Sequence, residues 1–288
     1  MKQNFLSGGF DVLNDEFGAD IYVINSCTVT SMSDKKIRQT IHHLRKENPH
    51  SIIILTGCFP QAFKEEAEKL SDVDIITGSK DRGGLIELVK EYMLNQERII
   101  KISDYKKNDE FEKMKNFEFV DKTRAFIKIQ DGCDQFCSYC IIPTARGRIR
   151  SKPIDDLRDE VIGLAQAGHK EVVLVGINLS FYGKEFGLRL VDAVELCCSI
   201  DGIERVRLGS LEPELMSDKD IARLAGLKKL CPQFHLSLQS GCNKTLKDMN
   251  RKYTAEEYFE LVKKLRNSFE DCAITTDVMV GFPDESDE

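Results

Sequence analysis

The chain has 288 residues, 41% hydrophobic and 31% charged, which suits one large or two ordinary globular domains. No run approaches about 18 consecutive apolar residues, and Met1-Lys2-Gln3-Asn4-Phe5-Leu6 lacks the apolar core of a secretory signal, so neither a transmembrane helix nor export is expected. Ten cysteines without an export signal point to a reducing cytosol and to metal ligation rather than disulfides, while a net charge of −7 obliges any nucleic-acid contact to rest on local Lys and Arg clusters.

The first 95 residues alternate strand and helix. Ile21-Tyr22-Val23-Ile24 reads as a strand, and Ile37, Ile41 and Leu44 mark a helix over 33–47 that ends before Pro49. Ile52-Ile53-Ile54-Leu55 is a second buried run, followed by a helix from Pro60 to near Leu70. Asp74-Ile75-Ile76 opens a third strand, and Leu85, Leu88, Val89 and Tyr92 mark another helix. Such alternation predicts a parallel sheet covered on both faces. Cys27 follows the first strand and Cys58 the second, at the carboxyl edge where open α/β sheets hold ligands. A metal-binding pair and two buried structural cysteines would give the same pattern.

Residues 96–122 are charged and weakly periodic, as in a linker. From residue 123 the rhythm resumes: strands at 125–129, 172–175, 205–208, 234–238 and 273–280, a helix over 155–167 closed by Gly168, and a helix opened by the capping box Thr254-Ala-Glu-Glu257. These five strands match part of a β/α barrel, whose active site lies at the carboxyl ends of its strands. Cys133-Asp-Gln-Phe-Cys137-Ser-Tyr-Cys140 directly follows the first of them. Thiolates select iron–sulfur clusters, zinc or Cu(I). Zinc and ordinary ferredoxin clusters take four ligands, whereas this C-x3-C-x2-C loop offers three, and three thiolates on a four-iron cube leave one iron open for chemistry. Buried structural cysteines, or a zinc site completed by a distant His, are the alternatives. At the other strand ends Gly176 and Asn178, Ser210 and Glu212, Gln239 and Ser240, and Asp277 with Gly281 form a candidate ligand ring. His235 and Ser237 read equally well as interior groups, and Cys197, Cys198, Cys231, Cys242 and Cys272 read as core filling.

CDQFCSYCIIPTARGRIRSKP, VVLVGINLSFYG, RVRLGSLEP, CPQFHLSLQSGCNKTLKDMNRKYT and AITTDVMVGFPDES, with INSCTVTSMSDKKIRQ and LTGCFPQ upstream, resemble the radical S-adenosylmethionine (SAM) tRNA methylthiotransferases, closest to the MtaB (threonylcarbamoyladenosine) type. The resemblance covers nearly the whole chain. It implies an N-terminal parallel-sheet α/β domain over 1–95, a charged linker over 96–122, and over 123–288 a partial (β/α)6 radical SAM barrel with five of its six strands. It further implies that Cys133, Cys137 and Cys140 hold a [4Fe–4S] cluster whose open iron binds S-adenosylmethionine, and that Cys27 and Cys58 belong to a second [4Fe–4S] cluster that handles sulfur. Gly176, Asn178, Ser210, Glu212, Gln239, Arg251 and Asp277 fall at cofactor-contacting positions, and Arg146 and Arg148 suit a phosphate or carboxylate of the substrate, a solvated loop pair being the alternative. The implied reaction is methylthiolation of carbon 2 of N6-threonylcarbamoyladenosine beside the tRNA anticodon. The implied partners are tRNA, an electron donor such as flavodoxin or ferredoxin and a sulfur source, in the cytoplasm and without a membrane.

Measured against that family, the chain is expected to be truncated at both ends: it begins about fifteen residues late, one strand and turn with the first cysteine, and stops before a sixth barrel strand and a small RNA-binding β-barrel. Asp284 stands where relatives usually carry Gly, in a turn that favours glycine's backbone freedom. Two further readings stand: a methylthiotransferase for another adenosine modification or a ribosomal protein, and a cluster-binding fragment without catalysis.

Overall fold

In the computed structural model, which describes residues 1–13, 18–28, 30–107, 109–112, 123–213 and 216–286, the first apolar runs become a four-stranded parallel sheet. Its strands are β1 (Ile21–Ser26), β2 (Ile52–Gly57), β3 (Ile75–Thr77) and β4 (Ile99–Lys101), in that spatial order. Side chains alternate across a strand, so Ile53 and Leu55 of β2 bury against Ile37, Ile41 and Leu44 of helix Ser31–Glu47, while Ile54 packs with Leu85, Leu88 and Val89 of helix Leu85–Asn95. Both faces of the sheet are therefore covered. Thr30 caps the first of these helices, its hydroxyl accepting the Ser33 backbone N–H at 3.2 Å.

Two expectations are corrected here. The helix predicted from Pro60 to Leu70 is two short helices, Cys58–Ala62 and Lys64–Glu68. Ile99–Lys101, placed by sequence in a linker beginning at 96, pairs with β3 as a fourth strand. Three residues are too few to reveal a period, and only the neighbouring strand supplies their hydrogen bonds. Residues 108 and 113–122 of that linker lie outside the described residues.

The chain divides into two units, one of Met1–Met114 with Cys140–Arg148, the other of Lys115–Tyr139 with Ile149–Glu288. In the second, β5 (Arg124–Asp131), β7 (Glu171–Gly176) and β8 (Arg205–Leu208) are parallel, with β6 (Arg150–Ser151) antiparallel on the outer side of β5. Only Gly209 separates β8 from β9 (Ser210–Leu211), which continues into parallel pairing with β10 (Gln233–Leu236) and then β11 (Ala273–Thr275). The result is a curled, partial β/α barrel. Ala125, Ile127 and Ile129 of β5, Val172 and Leu174 of β7 and Phe234 and Leu236 of β10 share one core with helix residues Leu157, Val161 and Leu164. Each fully buried aliphatic of this kind contributes about 1.5–3 kcal/mol. Phe234 meets Phe269 at a centroid distance of 4.9 Å.

Thr254 and Glu257 form the predicted capping box of helix Ala255–Ser268. Strand β11 is shorter than the predicted 273–280, with one isolated parallel bridge beyond it between Gln239 and Val278. Cys197 is fully buried in the core and Cys198 packs against it, where burial pushes the Cys198 thiol up to about 11. Cys242 departs from the core reading: it is exposed, at the start of helix Asn243–Asp248. Among the described residues no helix is long and apolar enough to cross a membrane.

Candidate functional site

Strand β5 delivers the cysteine loop. Asp131, buried at its end, pairs with Lys128 at 2.6 Å and Arg150 at 3.5 Å and accepts the Gly132 N–H at 2.9 Å, so the chain leaves the strand in a defined direction. Gly132 then adopts φ +70°, open to glycine at little cost. Cys133 is 9% exposed, and its sulfur accepts the Gln135 N–H at 3.4 Å. Phe136, at φ +51°, turns its carbonyl to the Asn250 side-chain amide at 2.8 Å. Ser138 donates its N–H to Met249 O at 3.1 Å and its hydroxyl to Asp248 O at 2.9 Å. The loop is thereby tied to the turn after helix Asn243–Asp248, more than 100 residues along the chain.

Arg251 follows that turn and is a buried, multiply bonded cation. Its side chain is 3% exposed; it forms an ion pair with Glu212, donates to Cys137 Sγ at 3.2 Å, to the Tyr253 hydroxyl at 3.2 Å and to Ser237 O at 3.4 Å. Burial works against the guanidinium charge, and Glu212, Tyr253 and Cys137 together more than offset it, so the group stays protonated. The N–H···S bond onto Cys137 suits a thiolate or a metal-bound sulfur.

Around this centre the predicted ring separates. Asn178 is buried, donates its N–H to Gln130 Oε1 at 2.7 Å and holds Nδ2 3.9 Å from Cys133 Sγ, while its Oδ1 meets no partner. Gly176 lies in β7 opposite Gln130. Gln239 sits at φ +66°, a strained conformation for a side-chain-bearing residue, held by hydrogen bonds from its N–H to Asp277 O at 2.9 Å and from the Met279 N–H to its carbonyl at 2.7 Å. Ser210 is exposed, and the Asp277 side chain is 76% exposed, 3.4 Å from His235. His235 also meets the Thr275 hydroxyl at 3.0 Å.

In the first unit Ser26 and Gly57 are register partners, so Cys27 and Cys58 follow adjacent strand ends. Cys27 is exposed and Cys58 buried, which removes the reading of two buried structural thiols. Cys140 opens the segment Cys140–Arg148, which belongs to this unit. Within it Ala145 O accepts the Ser79 hydroxyl at 2.6 Å, and Arg146 Nε donates to Cys58 Sγ at 3.1 Å. Arg146, which the resemblance assigns with Arg148 to substrate, makes this contact to a thiol, and Arg148 is exposed.

The group implied for the cysteine loop is a [4Fe–4S] cluster. Among the described residues no set of three or more His, Cys, Asp or Glu side chains is gathered into a metal-binding cluster. The chemistry of the donors fits the group: Cys133 and Cys137 each accept an N–H···S bond, and the Cys137 donor is a buried cation. Sequence reasoning missed Gln130 and Tyr253. Gln130 lies just past the predicted strand at 125–129, and the signal that could have found it is a polar residue between that strand and the cysteines.

Asp284 has φ +61°, so the residue standing in place of the family's glycine does occupy the left-handed region. Asp284→Gly is expected to stabilise the unit by about 1 kcal/mol, read from urea unfolding midpoints, because the side chain's steric cost there is removed.

Comparisons with known proteins agree with this architecture. The radical SAM superfamily matches residues 127–288, more than half of the chain, and the uncharacterized protein family UPF0004 matches residues 1–78. Threonylcarbamoyladenosine tRNA methylthiotransferase MtaB of Aquifex aeolicus is 38% identical over 288 residues, covering 100% of this chain and 70% of that protein. The Bacillus subtilis MtaB is 37% identical, covering 99% and 64%. The tRNA-2-methylthio-N(6)-dimethylallyladenosine synthase of Pelotomaculum thermopropionicum is 36% identical, covering 93% and 62%. The chain therefore spans between 62% and 70% of the length of these relatives. Among solved structures, the radical SAM methyltransferase TsrM of Kitasatospora setae superposes with a TM-score of 0.63 at 14% identity over 91% of this chain and 57% of its own, a likeness of fold. OxsB, a cobalamin-dependent radical SAM enzyme, gives 0.58 at 13% identity over 96% and 42%. By domain match and by identity across its full length, the chain belongs to the radical SAM superfamily and, within it, to the tRNA methylthiotransferase family.

Proposed function

We propose that this chain carries the catalytic part of a radical SAM transferase that replaces the C2 hydrogen of N6-threonylcarbamoyladenosine, beside the tRNA anticodon, with a methylthio group. The observation that supports it best is the C-x3-C-x2-C loop at the carboxyl end of β5, with a buried cation donating to its middle sulfur. Cys133, Cys137 and Cys140 are the ligands of a [4Fe–4S] cluster in this reading. When bound there, the cluster and S-adenosylmethionine supply a 5′-deoxyadenosyl radical under one-electron reduction. Asn178 offers its carboxamide oxygen to a donor of the cofactor, Gly176 borders the cofactor and leaves room for the Gln130 side chain, and Arg251 and Glu212 hold the cysteine loop and exclude water. Ser210, Gln239 and Asp277 line the same strand ends. Cys27 and Cys58 contribute to a second, sulfur-handling cluster, and Arg146 and Arg148 take a phosphate or carboxylate of the substrate, Arg146 beside Cys58. The partners in this reading are tRNA, a flavodoxin- or ferredoxin-type reductant and a sulfur source, in the cytoplasm.

The test pairs two measurements. Reduced, reconstituted protein is expected to convert S-adenosylmethionine to 5′-deoxyadenosine and methionine. Mass spectrometry of tRNA nucleosides from a strain lacking the gene is expected to show loss of the 2-methylthio form of threonylcarbamoyladenosine. Loss of 2-methylthio-dimethylallyladenosine instead would move the substrate to that of the Pelotomaculum relative. Unchanged tRNA and no cleavage would overturn the reading.

A further inference from the structure

Gln130 is fully buried beneath the cysteine loop, and a neutral amide in that position must satisfy one acceptor and two donors. All are used. Its Oε1 accepts the Asn178 N–H at 2.7 Å, and its Nε2 donates to the carbonyls of Asp131 at 2.9 Å and Gly132 at 2.7 Å, the two residues that lead into Cys133. The pairing of β5 with β7 shifts register between Lys128 and Gln130, which sets Gln130 opposite Gly176; such irregularities re-aim side chains next to active sites. A Cβ on Gly176 would stand 2.9 Å from Gln130 Cβ and 3.0 Å from Oε1, so the amide fits only because residue 176 is glycine. On the far side of this link, Asn178 is 4% exposed, with Nδ2 3.9 Å from Cys133 Sγ and Oδ1 unpartnered.

We propose that Gln130 is the positioning residue that locks the Cys133 loop to the Asn178 loop, holding Asn178 Oδ1 ready to accept a hydrogen bond from an ammonium or hydroxyl group of S-adenosylmethionine. The proposal rests on the reading of this strand end as the cofactor site. Gln130 touches neither cofactor nor substrate. It acts through Asn178 and through the carbonyls of Asp131 and Gly132.

The experiment titrates S-adenosylmethionine into the reconstituted full chain and follows the electron paramagnetic resonance spectrum of the reduced cluster, alongside iron content and apoprotein melting. Gln130→Met, close in volume, is expected to keep its iron and to bind S-adenosylmethionine about tenfold more weakly, the size of one lost buried hydrogen bond. Asn178→Ala is expected to weaken binding by a similar factor, and the double variant to be no weaker than Asn178→Ala alone within about twofold, because the two act in series. Should Gln130→Met yield no folded protein, Gly176→Ala displaces the same amide without removing it and is expected to show the same loss. Binding by Gln130→Met or Gly176→Ala within about twofold of wild type would overturn the proposal, as would a double variant whose loss is the product of the single losses. A wild-type signal that ignores S-adenosylmethionine would instead overturn the cofactor reading and this proposal with it.

Discussion

Replacing Cys133, Cys137 and Cys140 together by alanine is expected to remove about four irons and as many acid-labile sulfides per reconstituted chain and to abolish reductive cleavage of S-adenosylmethionine. The thiols are the only soft ligands on that loop, and alanine leaves no donor in their place. Iron remaining after the substitution reports on Cys27 and Cys58. A total of about four in wild type would mean that this pair holds no cluster by itself, and about eight would mean that it recruits further ligands. Iron that is indifferent to the three substitutions would overturn the assignment of the loop. Melting of the iron-free proteins checks that the substitutions spare the fold.

Removing Arg251 is expected to have the largest effect on stability. Its side chain is 3% exposed and that of its partner Glu212 is 15% exposed, so Arg251→Met takes the cation away from a poorly hydrated carboxylate, while the Tyr253 hydroxyl keeps its bond to Ser237 O at 2.6 Å. Breaking a buried pair from one side costs about 3–5 kcal/mol. Replacing both, as Arg251→Met with Glu212→Leu, is expected to recover most of that loss, since two well-packed apolar groups carry no desolvation penalty. Urea unfolding of the iron-free protein measures both variants. A single variant within about 1 kcal/mol of wild type would place the pair in effective contact with water. The same substitution removes the N–H donor to Cys137, so the reduction potential of the reconstituted cluster is expected to fall even where iron content holds.

Much of the fold was legible because its signals are local. Ile52-Ile53-Ile54-Leu55 could only be a strand buried on both faces, and Ile37, Ile41 and Leu44 only one stripe of a helix; each finds its expected place. Thr254 and Glu257 announce a helix start through bonds that span three residues. Strand β4 was hidden since three residues carry no period, and the hydrogen bonds that make Ile99–Lys101 a strand come from β3. Asp284 was flagged by comparison with glycine, and its positive φ shows why a flexible residue suits that turn.

The chemistry of the site divides the same way. Taken alone, the sequence determined the ligand type and the three-thiol count, because C-x3-C-x2-C is a property of eight consecutive residues and survives any placement of the rest of the chain. It also determined which strand presents them. Only the tertiary structure decided what surrounds those sulfurs. Arg251 reaches Cys137 across 114 residues, Gln130 reaches Asn178 across 48, and Arg146 reaches Cys58 across 88. Contacts of that range depend on strand register and burial, where a single glycine at position 176 or a pairing shift at β5 settles which amide meets which backbone N–H, and no local pattern encodes either.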